Sequence, residues 1–335
     1  VLAPDDTVAN NGLSTPSLLD SNGDGVVDAI YAGDLQGNVW KFAIDASGTG
    51  STDNCPSAKW KKDKLVFQTP SVTCRTKSVT GVISTCSSPT TKRQPISAPI
   101  EVSSAQSGQA GGVMLFFGTG MYYQASDVND MTQQAFYGIW DDNGNSAVTQ
   151  AQLVQQTIDT ESTISVVDQT TSQTVTFDYR LTSQNPVDYA SKKGWFMNLL
   201  KPNPSASVPE YQGERVVTLP LLRGGRVIFT TLIPSTDPCA FGGNSWIMEM
   251  DLATGVSPAS PVFDLNGDGA FGSADKAGGG VVSGIKSSEG VIKTPAVISA
   301  GSKEYKLSSG TSGNIVKITE RGSQSIRRTS WRQIQ

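Results

Sequence analysis

The residues best suited to chemistry in this 335-residue sequence form a short acidic loop, D-x-N-x-D-G-x-x-D, from residue 20 to residue 28. Calcium takes six to eight oxygen ligands, and alternate residues of a tight loop can all turn their oxygens towards one ion. Gly25 permits the sharp turn, and the twelfth position is Tyr31. The usual glutamate is therefore missing there, and Asp28 must carry more of the coordination. The predicted calcium ligands of this first loop are Asp20, Asn22, Asp24, Val26 through its carbonyl, and Asp28.

A second acidic loop with the same opening pattern runs from residue 264 to residue 275. Gly269 holds the sixth position, and Gly272 at the ninth leaves room for a water molecule. Neither loop has a flanking pair of helices in the sequence pattern, so both are predicted to be calcium loops within a β scaffold. The predicted ligands of this second loop are Asp264, Asn266, Asp268, Ala270 through its carbonyl, and Asp275.

Two alternatives stay open for these loops. They can be Asx-rich turns that bind no metal, because Asp and Asn side chains cap their own backbone in turns. If calcium binds, it can have either a structural role, by stabilising the fold, or a regulatory role. Three carboxylates close together repel one another until a cation arrives in both cases.

The sequence contains no histidine, which excludes Ser-His-Asp and Cys-His catalysis as well as imidazole metal ligands. The net charge is −4, and a general nucleic-acid binder would need a basic surface. The isolated carboxylates Asp141, Asp142, Asp237 and Glu249 are predicted to be solvated turn residues, since nothing in the sequence ties them together. We therefore predict no catalytic residues and no enzymatic activity.

Four cysteines are present, Cys55, Cys74, Cys86 and Cys239. An even count in a chain rich in Ser, Thr and Asn suits an oxidising compartment and favours disulfides, with buried thiols as the alternative. The connectivity is not readable from the sequence, although Cys74 to Cys86 is the shortest closure. No C-x-x-C occurs, so a zinc or thioredoxin-like site has little support.

Short apolar strands separated by glycine turns predict an all-β fold, and one unit recurs. Thr15-Pro16 opens an apolar strand and the unit closes with G-N-V-W-K-F; Thr294-Pro295 opens another that closes with G-N-I-V-K-I. Recurring small antiparallel units are typical of propeller blades, each too small to bury a face alone. A β-sandwich with chance similarity is the alternative. No apolar run approaches the length of a transmembrane helix.

Two long segments interrupt this repeat within a single predicted domain spanning residues 1–335. The first insertion, residues 46–93, is polar and carries three of the cysteines. The second covers residues 141–211, where residues 148–159 can form a short helix and residues 162–179 are more strand-like.

Several stretches together resemble the PilC/PilY-type tip adhesins and assembly proteins of type IV pili. They are DSNGDGVVDAIYAGDLQGNVWKFAID, LFFGTGMYY with AFYGIWDD, GERVVTLPLLRGGRVIFTTLIPSTDPCAFGGNSWIMEMDLATG, PVFDLNGDGAFG and the ending IRRTSWRQIQ. They follow the order found in that family and span nearly the whole chain from about residue 15.

The resemblance implies a modified, quinoprotein-like β-propeller that forms the C-terminal domain of the family and here lacks its first blade or blades. It places a calcium loop on a blade at Asp20 to Asp28, and ties calcium occupancy to pilus extension against retraction and to twitching motility. It further implies an extracellular position at the pilus tip after export through the periplasm. The implied partners are minor pilins and the tip complex, with host or surface receptors engaged by an upstream adhesive module.

Two other functions remain as alternatives. The first is a calcium-dependent lectin-like or scaffold binding module, which the two loops alone would also fit. The second is a quinoprotein-type dehydrogenase, because residues 251–255 resemble a turn of such propellers. That class would need a vicinal cysteine pair, which the sequence lacks.

Overall fold

The computed structural model describes residues 11–44, 60–206 and 208–322. Regular structure in this part of the chain is almost entirely β-strand, which confirms the all-β prediction. Cys55 and the ending IRRTSWRQIQ lie outside the described residues. No helix in these ranges is both long and apolar enough to cross a membrane. The helices are short 3₁₀ turns at Ala125–Asn129, Gln150–Gln152, Pro238–Ala240 and Ser273–Asp275.

The described residues contain 26 strands. The first are β1 Ser17–Leu19, β2 Ala29–Gly33, β3 Asn38–Ile44, β4 Trp60–Gln68, β5 Ser71–Thr73, β6 Arg75–Lys77, β7 Ile83–Thr85, β8 Thr91–Arg93, β9 Glu101–Ser104 and β10 Val113–Gly118. The middle strands are β11 Ala135–Asp141, β12 Val154–Gln156, β13 Ile158–Val167, β14 Thr174–Thr182, β15 Gly194–Asn198, β16 Leu221–Arg223, β17 Arg226–Thr230 and β18 Ile233–Pro234. The last are β19 Gly243–Asn244, β20 Trp246–Asp251, β21 Lys276–Ala277, β22 Gly280–Val281, β23 Gly284–Lys286, β24 Ala296–Ala300, β25 Lys303–Ser309 and β26 Ile315–Arg321.

Four larger sheets contain most of these strands. Their strand orders are β1-β2-β3-β4, then β12-β15-β11-β10-β9, then β13-β14-β23-β20-β17-β16, and finally β24-β25-β26. The two sequence repeats fold alike, because the unit opened by Thr15 gives β1, β2 and β3 and the unit opened by Thr294 gives β24, β25 and β26. The predicted repeat is therefore confirmed as a recurring antiparallel unit.

The sheets pack face to face in series, with a hydrophobic core in each of the spaces between them. Strand β10 shows why: all its residues are buried, and successive side chains point to opposite faces. Leu115 and Phe117 join the core shared with the first sheet, whereas Met114 and Phe116 join the core shared with the six-stranded sheet. A further core joins the six-stranded sheet to β24–β26 through residues such as Phe263.

Residues 60–68 of the predicted first insertion form β4, the fourth strand of the first sheet, and residues 71–93 fold as two small hairpin-like pairs, β5 with β8 and β6 with β7. A disulfide joins Cys74 to Cys86 with an S–S distance of 2.00 Å, so a disulfide is present as predicted, and the pairing that the sequence left open is the shortest closure. Cys239 is a free, exposed thiol. The insertion is tied to the segment before β11 by an ion pair between Lys92 Nζ and Asp130 Oδ2 at 2.5 Å.

Replacing Asp130 with asparagine should lower stability by about 1–2 kcal/mol at pH 7, because a charge-assisted hydrogen bond is lost. Burial alone would raise the pKa of Asp130, but Lys92 and Thr132 hold it below its ordinary value of 3.8. A lowered pKa stabilises the fold above that value, and the stabilisation is lost as pH falls through the folded pKa. Denaturant unfolding from pH 7 to pH 2 should show wild type and variant converging below about pH 4. A constant gap between them would contradict this.

The second insertion differs from the prediction at residues 148–159. In place of a helix, the chain makes a 3₁₀ turn at Gln150–Gln152 and then enters β12. Strand β12 pairs in parallel with β15, so tertiary pairing overrides the local helical pattern. The strand-like part is confirmed, since β13 and β14 form a long hairpin at the edge of the six-stranded sheet.

The expectation of solvated carboxylates is wrong for Asp141 and Glu249. Asp141 is 1% exposed; it accepts hydrogen bonds from the Tyr31 hydroxyl at 2.8 Å and the Lys64 ammonium at 2.6 Å. Glu249 is 0% exposed and contacts Lys306. These partners are remote in sequence, which is why no local pattern reveals them. Asp142 and Asp237 are exposed, as predicted.

Two buried ion clusters join neighbouring segments of the fold. In the Arg180 cluster, the guanidinium bonds to both carboxylate oxygens of Glu214, and contacts Glu161 and the ring of Trp246. In the Lys306 cluster, the ammonium contacts Glu249 of β20 and Glu320 of β26. The members of the Lys306 cluster are Lys306, Glu249, Glu320, Glu304 and Arg226.

Candidate metal sites

The first acidic loop connects β1 to β2, is exposed from residue 20 to residue 26 and is half-buried at residues 27 and 28. The carboxylate of Asp20 accepts the N–H groups of Gly23 at 2.7 Å and Gly25 at 2.8 Å. Asp28 closes the loop by accepting the N–H of Ser21 at 2.7 Å, and its pKa is lowered by the hydroxyl and N–H of Ser21. The two ends of the loop are thus held together by one carboxylate.

Tyr31, at the twelfth position, is excluded from the site. It is fully buried in β2, and its hydroxyl donates to Asp141 of the second sheet. The ligand that an EF-hand takes from this position therefore has to come from elsewhere in the loop. Asp28 is the acidic side chain that the sequence offers for it.

The second acidic loop follows a short extended segment that runs beside β26, and it ends in the 3₁₀ turn Ser273–Asp275. Asp275 is 1% exposed and accepts the N–H groups of Leu265 at 2.9 Å and Gly272 at 2.8 Å. This loop is more enclosed than the first. Its closing carboxylate reaches back from the twelfth position to the second.

The two loops share four internal hydrogen bonds. The sixth N–H donates to the first aspartate, from Gly25 to Asp20 at 2.8 Å and from Gly269 to Asp264 at 3.0 Å. The fifth N–H donates to the third side chain, the seventh N–H to the fifth side chain, and the amide of the third residue to the fifth carboxylate, in both loops. The shared D-x-N-x-D-G pattern therefore encodes one local conformation twice.

The glycines of these loops are required by backbone geometry. The fourth and sixth positions have positive φ in both loops, with values of 76° and 83° in the first and 68° and 72° in the second. Residues other than glycine rarely adopt a positive φ. The turn directs the first, third and fifth side chains inwards, where they accept N–H groups of the same loop. These are the side chains that the calcium-loop pattern names as ligands.

Asp264 shows that the second loop fits a cation. Its Oδ1 is buried and has no hydrogen-bond partner of normal geometry among the described residues. Burial and the nearby carboxylate of Asp275 raise the pKa of Asp264 above its ordinary value. A buried acceptor facing further negative charge is stabilised by a positive ion. Carboxylate, amide and carbonyl oxygens are hard donors of the kind that calcium prefers.

The acidic side chains are not drawn into a ready-made cluster. Across residues 11–44, 60–206 and 208–322, no group of three acidic, thiol or imidazole side chains is arranged to hold a metal. In each loop the carboxylates instead accept hydrogen bonds from N–H groups of the same loop. A carboxylate oxygen that accepts one such bond keeps a lone pair for a cation.

Lys303, at the start of β25, lies directly against the second loop. A Cβ atom on Gly269 would come within 1.6 Å of its Nζ. Hydrogen bonds from Ala270 and Asn266 lower the pKa of Asp268, and the charge of Lys303 adds to this effect. The sequence pattern gave no sign of this neighbour, since Lys303 belongs to the following strand unit.

The tip of the β13–β14 hairpin also contacts the second loop. Gln169 donates its N–H to the carbonyl of Asn266 at 2.7 Å, and the hydroxyl of Thr170 donates to the carbonyl of Gly267 at 2.8 Å. The second insertion therefore supports the loop from outside. The first loop is held by its own strands, β1 and β2.

Comparison with known proteins points to a β-propeller family, in agreement with the all-β fold. Residues 5–171 match the family model described as the PilY1 beta-propeller domain. A type IV pilus biogenesis factor PilY1 homolog of Xylella fastidiosa is 32% identical over 249 residues, covering 73% of this chain and 14% of the relative. The chain belongs to the PilY1 family. The PilY1 of Pseudomonas aeruginosa strain UCBPP-PA14 is 32% identical over 304 residues, covering 82% of this chain and 24% of that protein.

A solved PilY1 structure supports the fold. The crystal structure of the Pseudomonas aeruginosa PilY1 C-terminal domain matches with a TM-score of 0.68 at 23% identity, covering 94% of this chain and 62% of that one. The predicted all-β propeller fold of the PilY1 type is thereby confirmed. The chain spans less than a quarter of the length of the PilY1 relatives cited above.

Proposed function

We propose that this chain is a calcium-binding part of a type IV pilus assembly protein. Its curated relatives are named type IV pilus biogenesis factors, which supports a role in pilus assembly. The observation that carries calcium binding is the matched hydrogen-bond set of the two acidic loops. The propeller scaffold presents these loops and acts by binding, not by catalysis.

The first ion would be held by Asp20, Asn22, Asp24 and Asp28 with the carbonyl of Val26. The second would be held by Asp264, Asn266, Asp268 and Asp275 with the carbonyl of Ala270. Calcium supplies charge that lets repelling carboxylates converge. The loop glycines and the N–H groups that already orient the aspartates reduce the ordering that binding requires.

In the cell, calcium occupancy would favour pilus extension over retraction and so affect twitching motility. The protein would act at the pilus tip outside the cell, after export through the periplasm, where disulfides such as Cys74–Cys86 persist. Its partners would be minor pilins and the tip complex, with adhesion to host or other surfaces through an upstream module. Millimolar affinity would suit a sensor of external calcium and nanomolar affinity a permanent staple.

Calorimetric titration of the purified chain with calcium tests the metal sites. Wild type should bind two ions, and Asp24→Ala and Asp268→Ala should each remove one, because each lacks a central ligand. Asp159→Ala, at an exposed aspartate outside both loops, is the matched control and should keep two. No calcium uptake by wild type, or two ions in either loop variant, would contradict the assignment.

The cellular role is tested separately with Asp24→Ala in the full-length protein. Loss of surface pili and twitching with normal protein level is expected. Normal twitching in a variant that no longer binds calcium at the first loop would refute the regulatory role while leaving the metal site itself intact.

Lys303→Met should raise the calcium affinity of the second loop by about fivefold, because a fixed positive charge beside the site repels the ion. The affinity of the first loop should not change. Calorimetry of this variant in the Asp24→Ala background isolates the second loop. Lys317→Met removes an exposed lysine on neighbouring β26 and is the control. Equal affinities in the two variants would show that Lys303 does not oppose binding.

A further inference from the structure

A cleft of about 400 Å³ lies between the six-stranded sheet and the β24–β26 sheet. Residues 175–178 of β14 form one wall and residues 316–318 of β26 form the other. Residues 285–288 and Asn244 complete the lining. None of these residues belongs to either acidic loop.

The β14 wall is an open strand edge. On one side, residues 174–178 pair with β13 throughout. On the other side, β14 pairs with β23 only at Tyr179 and Arg180. Among the described residues, no backbone hydrogen bond reaches 175–178 from the cleft side. Alternate residues of this stretch therefore present unpaired N–H and C=O groups to the cleft.

The β26 wall is open in the same way. Residues 315–318 pair with β25 on one side. The chain segment 262–264 covers the other side, but only from Thr319 onward, through bonds at Thr319 and Arg321 and a bridge at Glu320. Within the described ranges, nothing pairs with 315–318 from the cleft. Two open edges thus border one cavity.

The side chains lining the cleft combine apolar surface with positive charge. Phe177, Ile285 and Ile318 supply the apolar part. Lys317 is exposed and has no ion-pair partner among the described residues, and Lys286 makes a half-exposed pair with Asp178 at 3.2 Å. The adjoining cavity shares Asn244 and Lys286 and adds Lys77, Lys201, which pairs with Glu210 at 3.0 Å, and one acidic residue, Glu161. Lysines therefore outnumber acidic side chains around the two cavities, in a protein of net charge −4.

We propose that this cleft binds an extended polypeptide segment of a partner protein, which adds to one or both open strands. Unpaired edge groups select a polypeptide backbone, because only a strand can satisfy their alternating donors and acceptors. The lysines select acidic side chains, and the apolar wall selects apolar ones. A segment that alternates apolar and acidic residues meets both demands, since successive side chains of a strand point to opposite faces.

The probe is a labelled eight-residue peptide of alternating valine and glutamate, titrated by fluorescence anisotropy in EDTA so that calcium plays no part. It should bind at least about tenfold more tightly than the valine–lysine peptide and than an analogue N-methylated at alternate residues, which cannot form the ladder. Hydrogen exchange should show slower exchange of amides at 175–178, 315–318 or both.

Two variants locate the binding. Ser288→Trp fills the cleft from an exposed position, and Lys317→Glu reverses an unpaired charge, so each should weaken binding about tenfold or more. Lys192→Glu, a half-exposed lysine outside the cleft, should bind like wild type. Equal binding of the N-methylated peptide, unaltered binding in Ser288→Trp, or no binding by wild type would overturn the proposal. Concentration-dependent dimerisation that protects the same amides would assign the cleft to a second copy and refute a separate partner.

Discussion

Replacing Glu214 with glutamine should destabilise the protein by about 3–5 kcal/mol, because it leaves the charge of Arg180 buried with too little compensation. The Arg180 side chain is 0% exposed and that of Glu214 is 1% exposed. The guanidinium makes two bonds to Glu214, at 2.6 and 2.8 Å, and its centre lies 4.0 Å from the Trp246 ring. Burial alone would lower the pKa of Arg180, but Glu214 and Glu161 raise it above its ordinary value.

Denaturant unfolding at neutral pH measures this effect. Glu161→Gln is the matched control, since that carboxylate also contacts Arg180 but is 15% exposed, and its loss should cost less. The double change Arg180→Met with Glu214→Leu removes both charges and should recover much of the lost stability. A Glu214→Gln protein as stable as Glu161→Gln would show that the pair does not need to be charged.

Lys306→Met should have a comparable effect, a loss of about 3–5 kcal/mol. The ammonium contacts Glu249 and Glu320, and all three side chains are 0% exposed. Glu249 keeps Arg226 at 2.8 Å in the variant, but Glu320 loses its only ion-pair partner among the described residues. Because Glu320 lies on β26 and Glu249 on β20, the contact between their sheets should weaken most.

Thermal or denaturant unfolding measures this second effect, and hydrogen exchange shows where it acts. Lys306→Met should speed exchange in β24–β26 more than in β1–β4. Adding Glu320→Gln should restore part of the stability by removing the unpaired charge. Lys317→Met, at an exposed lysine of β26 that contacts only the Tyr305 ring among charged or aromatic partners in the described residues, serves as the control and should remain within about 1 kcal/mol of wild type. Uniformly faster exchange over the whole chain would contradict a local role.

The sequence was sufficient for those parts of the fold that depend on local pattern. Alternating apolar residues and glycine turns predicted the strands, and the T-P units predicted two equivalent three-stranded units. The calcium-loop spacing predicted the turn conformation, since the aspartates and asparagines bond to backbone only a few residues away. The cysteine count predicted a disulfide, but the pairing of Cys74 with Cys86 is known from the structure.

Interactions between residues far apart in the sequence could not be predicted from local pattern. Residues 148–159 have a helical pattern, but pairing with β15 makes part of them a strand. Asp141 and Glu249 look like surface carboxylates until Lys64 and Lys306 are brought to them from distant strands. In the candidate site, the position of Lys303 against Gly269 depends on how a later strand unit packs, so spacing within the loop could not reveal it.

Asp28 and Asp275 both bond to the N–H of the second loop residue, although one comes from the ninth position and the other from the twelfth. The same local closure can therefore be encoded in two lengths of chain. A motif definition that demands an acidic twelfth residue would overlook the shorter form wherever a strand begins early, as β2 does here. Scanning β-rich surface proteins with both lengths would bring the compact version within reach of sequence annotation.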